Sequence, residues 1–368
     1  MSAQAQVSFF YNETPFVFNQ QEAKIFIDSS VNRTIDRYRQ IQEKMAPMAG
    51  QSVNLNYKDQ MLWILLPVSG FGHPDELRDI MVRNPHINFL EAWLFQKDSL
   101  LTSFGMTGDH QPFSSRATDY PDYIFPLPAG HKEAIYILLL IDKRNEQLNI
   151  PIHGMSEKGI SDYNRKKNLL AGLITGLSLF LFLFSLFLYY NMREKLYIFY
   201  GLYIVAAFTY IFSDYGYLFM YFFPDHPGIA DFTRPIAISL ATPLYMLFAM
   251  KLLNVRESLP KQYAWCNRYL TGYLCLFVFS MFFLPEAGII RILLVLLMQV
   301  VQNLTALFIL YVAIMGWRKK VPYAPYIIGS SSVLLVSFSF FMLFVSGLIP
   351  DTFFTRNLMN LGFSTELS

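Results

Sequence analysis

Apolar and polar positions follow two different rules along this chain, and the change falls near residue 168. From about Glu22 to Ile152 the apolar residues come in short segments broken by turn material. MLWILLPV (Met61–Val68), INFLEAWLF (Ile87–Phe95), Tyr123–Leu127 and AIYILLLI (Ala134–Ile141) have the length and the β-branched and aromatic content of strands. Ser69-Gly70-Phe71-Gly72-His73-Pro74, Gly105–Asp109 and Pro126–Gly130 supply the turns. Ile35, Tyr38, Ile41 and Met45 share one face at helical spacing, which predicts a helix over Thr34–Met45. Several short strands without βαβ alternation predict an antiparallel sandwich, whose strand order the pattern does not encode.

Downstream the apolar runs lengthen. Leu169–Tyr190, Leu196–Phe212, Pro235–Leu253, Tyr269–Leu284, Ile292–Trp317 and Tyr323–Leu348 each approach the ~20 residues that cross a hydrocarbon core. None holds an ionisable residue away from its ends, so none has the polar face of a soluble helix. The expected architecture is an all-β sandwich joined to an α-helical transmembrane bundle. Its divisions are an N-terminal segment (1–19), the sandwich (20–152), a linker (153–167) and the helical domain (168–368). The last residues, NLMNLGFSTELS (Asn357–Ser368), read as the approach to a seventh crossing.

Charge orients the bundle. The loops after the first, third and fifth runs carry Arg193 and Lys195; Lys251, Arg256, Lys261 and Arg268; and Arg318, Lys319 and Lys320. The loops after the second and fourth runs and the segment after the sixth carry Arg234, Arg291 and Arg356. Because lysine and arginine in short loops are retained on the cytoplasmic side, the N-terminal domain is expected outside. Arg165, Lys166 and Lys167 oppose this, but they follow a long domain whose translocation depends little on such charges. Six crossings return the chain to the outside, so a cytoplasmic output needs a seventh.

Composition narrows the chemistry. The hydrophobic content of 54% is the average of two unlike halves, and a net charge of +2 with no basic arm gives no electrostatic footprint for nucleic acid. The two cysteines, Cys266 and Cys275, belong to one apolar run, which leaves the first half without a disulfide framework. Met1–Gln20 lacks the basic and apolar regions of a signal peptide, while Ala3-Gln4-Ala5-Gln6 resembles sequence around a cleavage site. His73, His86, His110, His131, His153 and His226 show no metal spacing. No phosphate-cradling glycine loop or nucleophile motif appears, so neither an enzyme nor a cofactor or metal is expected.

The order of the pieces carries a resemblance. LWILLPV, INFLEAWLF, Thr107–Arg116 (TGDHQPFSSR), YIFPLPAG and AIYILLLIDKRNEQLNIPI follow one another as in a bacterial ectodomain. It resembles the type 2 extracellular domain of the seven-transmembrane receptors with diverse intracellular signalling modules. The helical half is similar too: Gly172 and Gly176 open the first run and Arg193-Glu194-Lys195-Leu196-Tyr197 makes a short basic turn. The resemblance implies a jelly-roll, carbohydrate-binding-like outer domain in the bacterial inner membrane. It also implies a cytoplasmic histidine kinase or diguanylate cyclase beyond a seventh span, parts that this sequence does not include.

Candidate functional residues follow from chemistry. Asp109 and Arg116 could pair across the TGDHQPFSSR loop and either contact a ligand or close the sandwich. Trp63, Trp93, Tyr120 and Tyr123 are flat amphipathic rings of the kind that stack on sugars. Asp119, Pro121 and Asp122 mark Tyr120 and Tyr123 as belonging to an exposed loop, with carboxylates for sugar hydroxyls. Gln299, Gln302 and Asn303, with Thr305 nearby, place amides on one face of the fifth run, as bundle glue or as a functional interior. Gly172 and Gly176 form a GxxxG suited to intramolecular packing or to a dimer seam, and Pro243 is expected to kink the third run. The loop holding Asp214, Asp225, His226, Asp231 and Arg234 could contact the ectodomain or a ligand.

The reading that joins these is a membrane sensor. Its outer domain binds a small-molecule or carbohydrate ligand, and its bundle signals to a cytoplasmic partner, as a monomer or a homodimer. A membrane-tethered binding module without output, or a transporter with an accessory domain, are the alternatives.

Overall fold

The computed structural model describes residues 23–30, 32–47, 54–55, 60–68, 79–97, 99–128, 135–142, 148–283, 289–345, 349 and 353–367. The expected N-terminal segment and the Ser69–Pro74 turn lie outside the described residues. The chain divides into two compact units, one of residues 1–168 and 214–231, the other of residues 169–213 and 232–368.

Among the described residues the first unit has eleven strands. They are β1 (Lys24–Asp28), β2 (Ala46–Pro47), β3 (Asn54–Leu55), β4 (Met61–Val68), β5 (Asp79–Val82), β6 (Phe89–Gln96), β7 (Ser99–Thr107), β8 (Tyr123–Pro126), β9 (Ile135–Asp142), β10 (Leu148–Asn149) and β11 (Ile152–Met155). A six-stranded sheet runs β2-β1-β4-β9-β6-β7 and a three-stranded sheet runs β11-β5-β8, with β10-β3 as a separate pair. All described pairings are antiparallel.

Side-chain alternation explains the layering. Leu62, Ile64, Leu66 and Val68 of β4, and Ile135, Ile137, Leu139 and Ile141 of β9, meet Ile80, Val82, Tyr123, Phe125 and Ile152 of the small sheet in one buried core. The two sheets therefore form a sandwich. β4 and β9 are apolar on their other face as well, which is the signature of a strand covered on both sides. The cover is α1 (Ile35–Ile41), whose Ile41, with Met45 just beyond it, packs on Met61, Trp63, Trp93, Leu138 and Leu140. Trp63 and Trp93 stack at 5.9 Å between ring centroids and are 0% and 3% exposed. They are core residues, and burial leaves neither ring a face for a sugar. Asp28 of β1 accepts two hydrogen bonds from the Arg37 guanidinium (2.8 and 2.9 Å), which pins α1 to the sheet and pulls the carboxyl down to about 2.

The second unit is helical. The helices of the chain's second half are α2 (Glu157–Met192), α3 (Lys195–Asp214), α4 (Tyr217–Tyr221), α5 (Pro227–Leu252), α6 (Val255–Ser258), α7 (Pro260–Phe283), α8 (Ile289–Arg318), α9 (Ala324–Val345) and α10 (Phe353–Leu367). Each of the six apolar runs coincides with one of α2, α3, α5, α7, α8 and α9, and α10 covers the residues read as the approach to a further crossing. Among the described residues, four helices are long and apolar enough to cross a membrane: α2, α3, α5 and Leu296–Arg318 of α8. Helix α7 is diluted at its start by Lys261, Asn267 and Arg268, and α9 is apolar over Ala324–Phe340. Pro235 and Pro243 both lie inside α5, each removing one backbone donor.

The chain passes between the two units at 168/169, 213/214 and 231/232. Residues 153–167, expected as a linker, are not one. β11 joins the small sheet, and α2 begins at Glu157, twelve residues before the apolar run.

Candidate functional site

The region that sets this unit apart is where residues 157–168 and 214–231 fold onto the sandwich. Helix α2 starts cleanly because Ser156 caps it: its hydroxyl accepts the Gly159 amide at 3.1 Å. Ile160 and Tyr163 share a face one turn apart. They pack on Met81, Ile124 and Met155, the outer face of the small sheet. One turn later the same face presents Lys167, whose ammonium donates to Asp122 at 2.7 Å.

That pair is buried, with side chains 6% and 3% exposed. Asp122 also lies 3.5 Å from the Tyr163 hydroxyl. Behind it, Arg83 lays its guanidinium 4.3 Å from the Tyr163 ring centroid and reaches His153 Nε2 at 3.1 Å. Two buried charges that pair across 45 residues of sequence tie the start of α2 to the sandwich.

The segment 214–231 docks beside it. Gly216 turns with φ +80°, in the left-handed region, and a Cβ there would stand 2.8 Å from Pro85 and 3.0 Å from Pro121. Tyr217 donates a hydrogen bond to Asn168 Oδ1. His86 Nε2 donates to the Asp214 carbonyl at 3.1 Å, and the Phe113 amide donates to the Pro224 carbonyl at 2.8 Å. Phe113 meets Phe219 edge to face at 5.5 Å, and Ala230 completes that cluster. His110 lies 3.9 Å from Asp109 and 3.8 Å from Asp231, so it links the sandwich loop to the docked segment.

Arg116 organises the sandwich side of this joint. Its guanidinium donates to the carbonyls of Pro121, Tyr120 (3.3 Å) and Pro85 (3.4 Å) and to the Tyr123 hydroxyl (3.3 Å). It also lies over the rings of Tyr123 and Phe113, at 4.2 and 4.7 Å. The expected partner across the loop was Asp109; the guanidinium is directed instead at backbone carbonyls, which fixes the loop's path. Burial drives the Tyr123 phenol well above its ordinary range, against the opposing pull of Arg116. Burial, then the charge of Asp122, does the same to Tyr217. Both phenols stay neutral hydrogen-bonding groups over the whole physiological range.

The predicted ligand residues thus separate into two sets. Asp109, Arg116, Asp122 and Tyr123 are buried and belong to the joint. Tyr123, 2% exposed, has no free face for stacking. Asp119 and Tyr120 are exposed, on the six-residue stretch between Arg116 and Tyr123. The roles of Lys167, Gly216 and Arg83 were not apparent from the sequence. Lys167 reads there as a topology charge, and only the spacing Ile160, Tyr163, Lys167 hints at a packed face.

In the helical unit, Gln302 donates to Ser239 Oγ at 3.4 Å and Asn303 to the Gln299 backbone carbonyl at 2.7 Å. Gln302 and Asn303 line a common cavity, and the Gln299 side chain does not. A Cβ on Gly172 or Gly176 would meet nothing within 4 Å, so neither is a close-packing site within the described residues. Gly201, against Ser185, and Gly362, against Ser337, are such sites.

These contacts clamp residues 157–168 and 214–231 onto the sandwich. The first of these segments is the start of α2, and the second lies in sequence between α3 and α5. The comparisons with known proteins agree with this division. The family model described as 7TMR-DISM extracellular 2 matches residues 20–156, and that described as 7TM diverse intracellular signalling matches residues 167–368. The comparison with curated proteins gives no match. An extracellular domain model over residues 20–156, followed by a seven-transmembrane signalling model over residues 167–368, places the chain in the 7TMR-DISM family of multi-pass membrane receptors.

Proposed function

We infer that the sandwich binds a small-molecule or carbohydrate ligand outside a bacterial inner membrane, and that the joint passes the resulting change to the helices and on to a cytoplasmic partner. The observation that carries this reading is the position of Asp119 and Tyr120. They are exposed between Arg116 and Asp122, the two buried charges that hold the joint, and the Tyr120 carbonyl itself accepts from Arg116. A ligand stacked on Tyr120 pulls on the backbone that the clamp grips. Only a ligand that binds one arrangement of the joint better than another shifts the receptor.

The test uses the full chain in lipid nanodiscs, screened against a panel of oligosaccharides by thermal shift. A sugar that stabilises the protein should lose about three- to tenfold in affinity in Tyr120→Ala, the worth of one stacking contact. It should also change hydrogen exchange in residues 157–168 and 214–221. A sugar that binds Tyr120→Ala unchanged and leaves those amides unchanged would overturn the reading.

A further inference from the structure

We propose that the helical unit contains a binding site of its own for a small uncharged alcohol or phenol. This site is independent of the outer domain. The cavity has a volume of about 80 Å³, against the ~10–15 Å³ that one water occupies on the same measure. It is lined from α3, α5, α8, α9 and α10.

Two properties define the occupant. The first is charge. Among the described residues no Asp, Glu, Lys or Arg lines the cavity, and an ion would have to be desolvated there without a counter-charge from them. Most of the wall is aliphatic or aromatic, with Phe338 and Phe363 among the lining rings. The second is a polar edge formed by Thr242, Tyr245, Gln302, Asn303 and Thr305.

Much of that edge is already engaged with protein. Thr242 donates to the Ile238 carbonyl at 3.2 Å, and the Tyr245 hydroxyl contacts Ser330 and Ser331 at 3.0 and 3.1 Å. The two amides are less fully used: Gln302 donates to Ser239 Oγ at 3.4 Å, and Asn303 engages through its nitrogen. That nitrogen donates to the Gln299 carbonyl at 2.7 Å, and among the described residues the Asn303 side-chain oxygen has no hydrogen-bond partner. An amide oxygen left without a donor at membrane depth is costly, and a hydroxyl group on the occupant would satisfy it. A hydrocarbon chain from the bilayer would fill the apolar part and leave that oxygen bare. The geometry therefore favours a molecule with an apolar body and one hydroxyl.

The experiment compares 4-fluorophenol with fluorobenzene by ¹⁹F NMR on the full chain in nanodiscs, with empty nanodiscs subtracted for partitioning into lipid. Wild type should bind the phenol about fivefold or more tightly than fluorobenzene, the net worth of one hydrogen bond. Asn303→Leu should erase that preference while still binding fluorobenzene. Ala306→Phe, which fills the cavity, should abolish binding of both. Equal affinity for the two probes in wild type would overturn the proposal and mark a plain hydrocarbon pocket. A phenol preference that survives in Asn303→Leu would also overturn it. If Ala306→Phe fails to fold, the Asn303→Leu comparison decides alone.

Discussion

Removing one partner of the Lys167–Asp122 pair should loosen the joint far more than removing both. The pair is 2.7 Å apart with both side chains over nine-tenths buried. In Lys167→Met the Asp122 carboxylate keeps only the Tyr163 hydroxyl, at 3.5 Å, among the contacts described for it. An unpaired buried charge of this kind costs about 3–5 kcal/mol, whereas replacing a buried pair by apolar side chains is often close to neutral. The double variant Lys167→Met/Asp122→Leu should therefore be more stable than either single one, with a coupling of about 2 kcal/mol or more. Global unfolding is a poor measure for a membrane protein, so the readout is native-state hydrogen exchange of residues 157–168 and 214–221 in nanodiscs. About 3–5 kcal/mol corresponds to a fall in protection of roughly two to three and a half decades in each single variant. The double variant should recover most of it. If the single effects are below about 1 kcal/mol, or simply add in the double variant, the pair does not hold the joint and the clamp argument fails.

Three further outcomes are expected. Gly216→Ala should undock residues 214–231 and expose them to protease, because the left-handed φ and the contacts with Pro85 and Pro121 together cost about 2 kcal/mol or more. Gly216→Asn relieves only the backbone strain, so full protease resistance in Asn would refute the contact argument. The Asp28 carboxyl is depressed from 3.8 to about 2, so its pairing stabilises the sandwich above the unfolded value and is lost as pH falls from about 5 towards 2. With screening at the partly exposed Arg37, the acid-limb contribution is about 1 kcal/mol, and Arg37→Gln should remove it; an unchanged acid-denaturation curve in that variant would count against the pairing. A reporter enzyme fused after Lys320 should behave as cytoplasmic, and periplasmic activity at that point would reverse the orientation drawn from loop charge.

Legibility in the sequence tracked how local the cause was. Met61–Val68 and the Ile35, Tyr38, Ile41, Met45 face were readable because burial on a strand or helix imposes its own period. Asp79–Val82 and Ser99–Thr107 were not: the first is four residues long and the second is an edge strand with mostly exposed side chains, so neither carries a strong apolar signal. The polar start of α2 read as a linker because its charged residues looked solvated, while in the fold Lys167 is buried against Asp122. Tyr123 read as an exposed loop ring from its neighbours, and the small sheet turned it into the core instead.

The sequence by itself determined that a β-rich outer domain precedes long apolar helices, and its loop charges predict which side that domain faces. Those properties follow from transfer free energies and local periodicity, which are additive along the chain. Only the tertiary structure decided how residues 157–168 and 214–231 dock on the sandwich. Asp122 with Lys167, Arg116 with the carbonyls of Pro85 and Pro121, and Gly216 against Pro85 and Pro121 pair groups that are distant in sequence or separated by irregular turns. The same holds for Asn303 at the edge of a cavity walled by five helices. Buried polar pairing is non-local and non-additive, because each group's cost depends on whether a partner from elsewhere in the chain arrives.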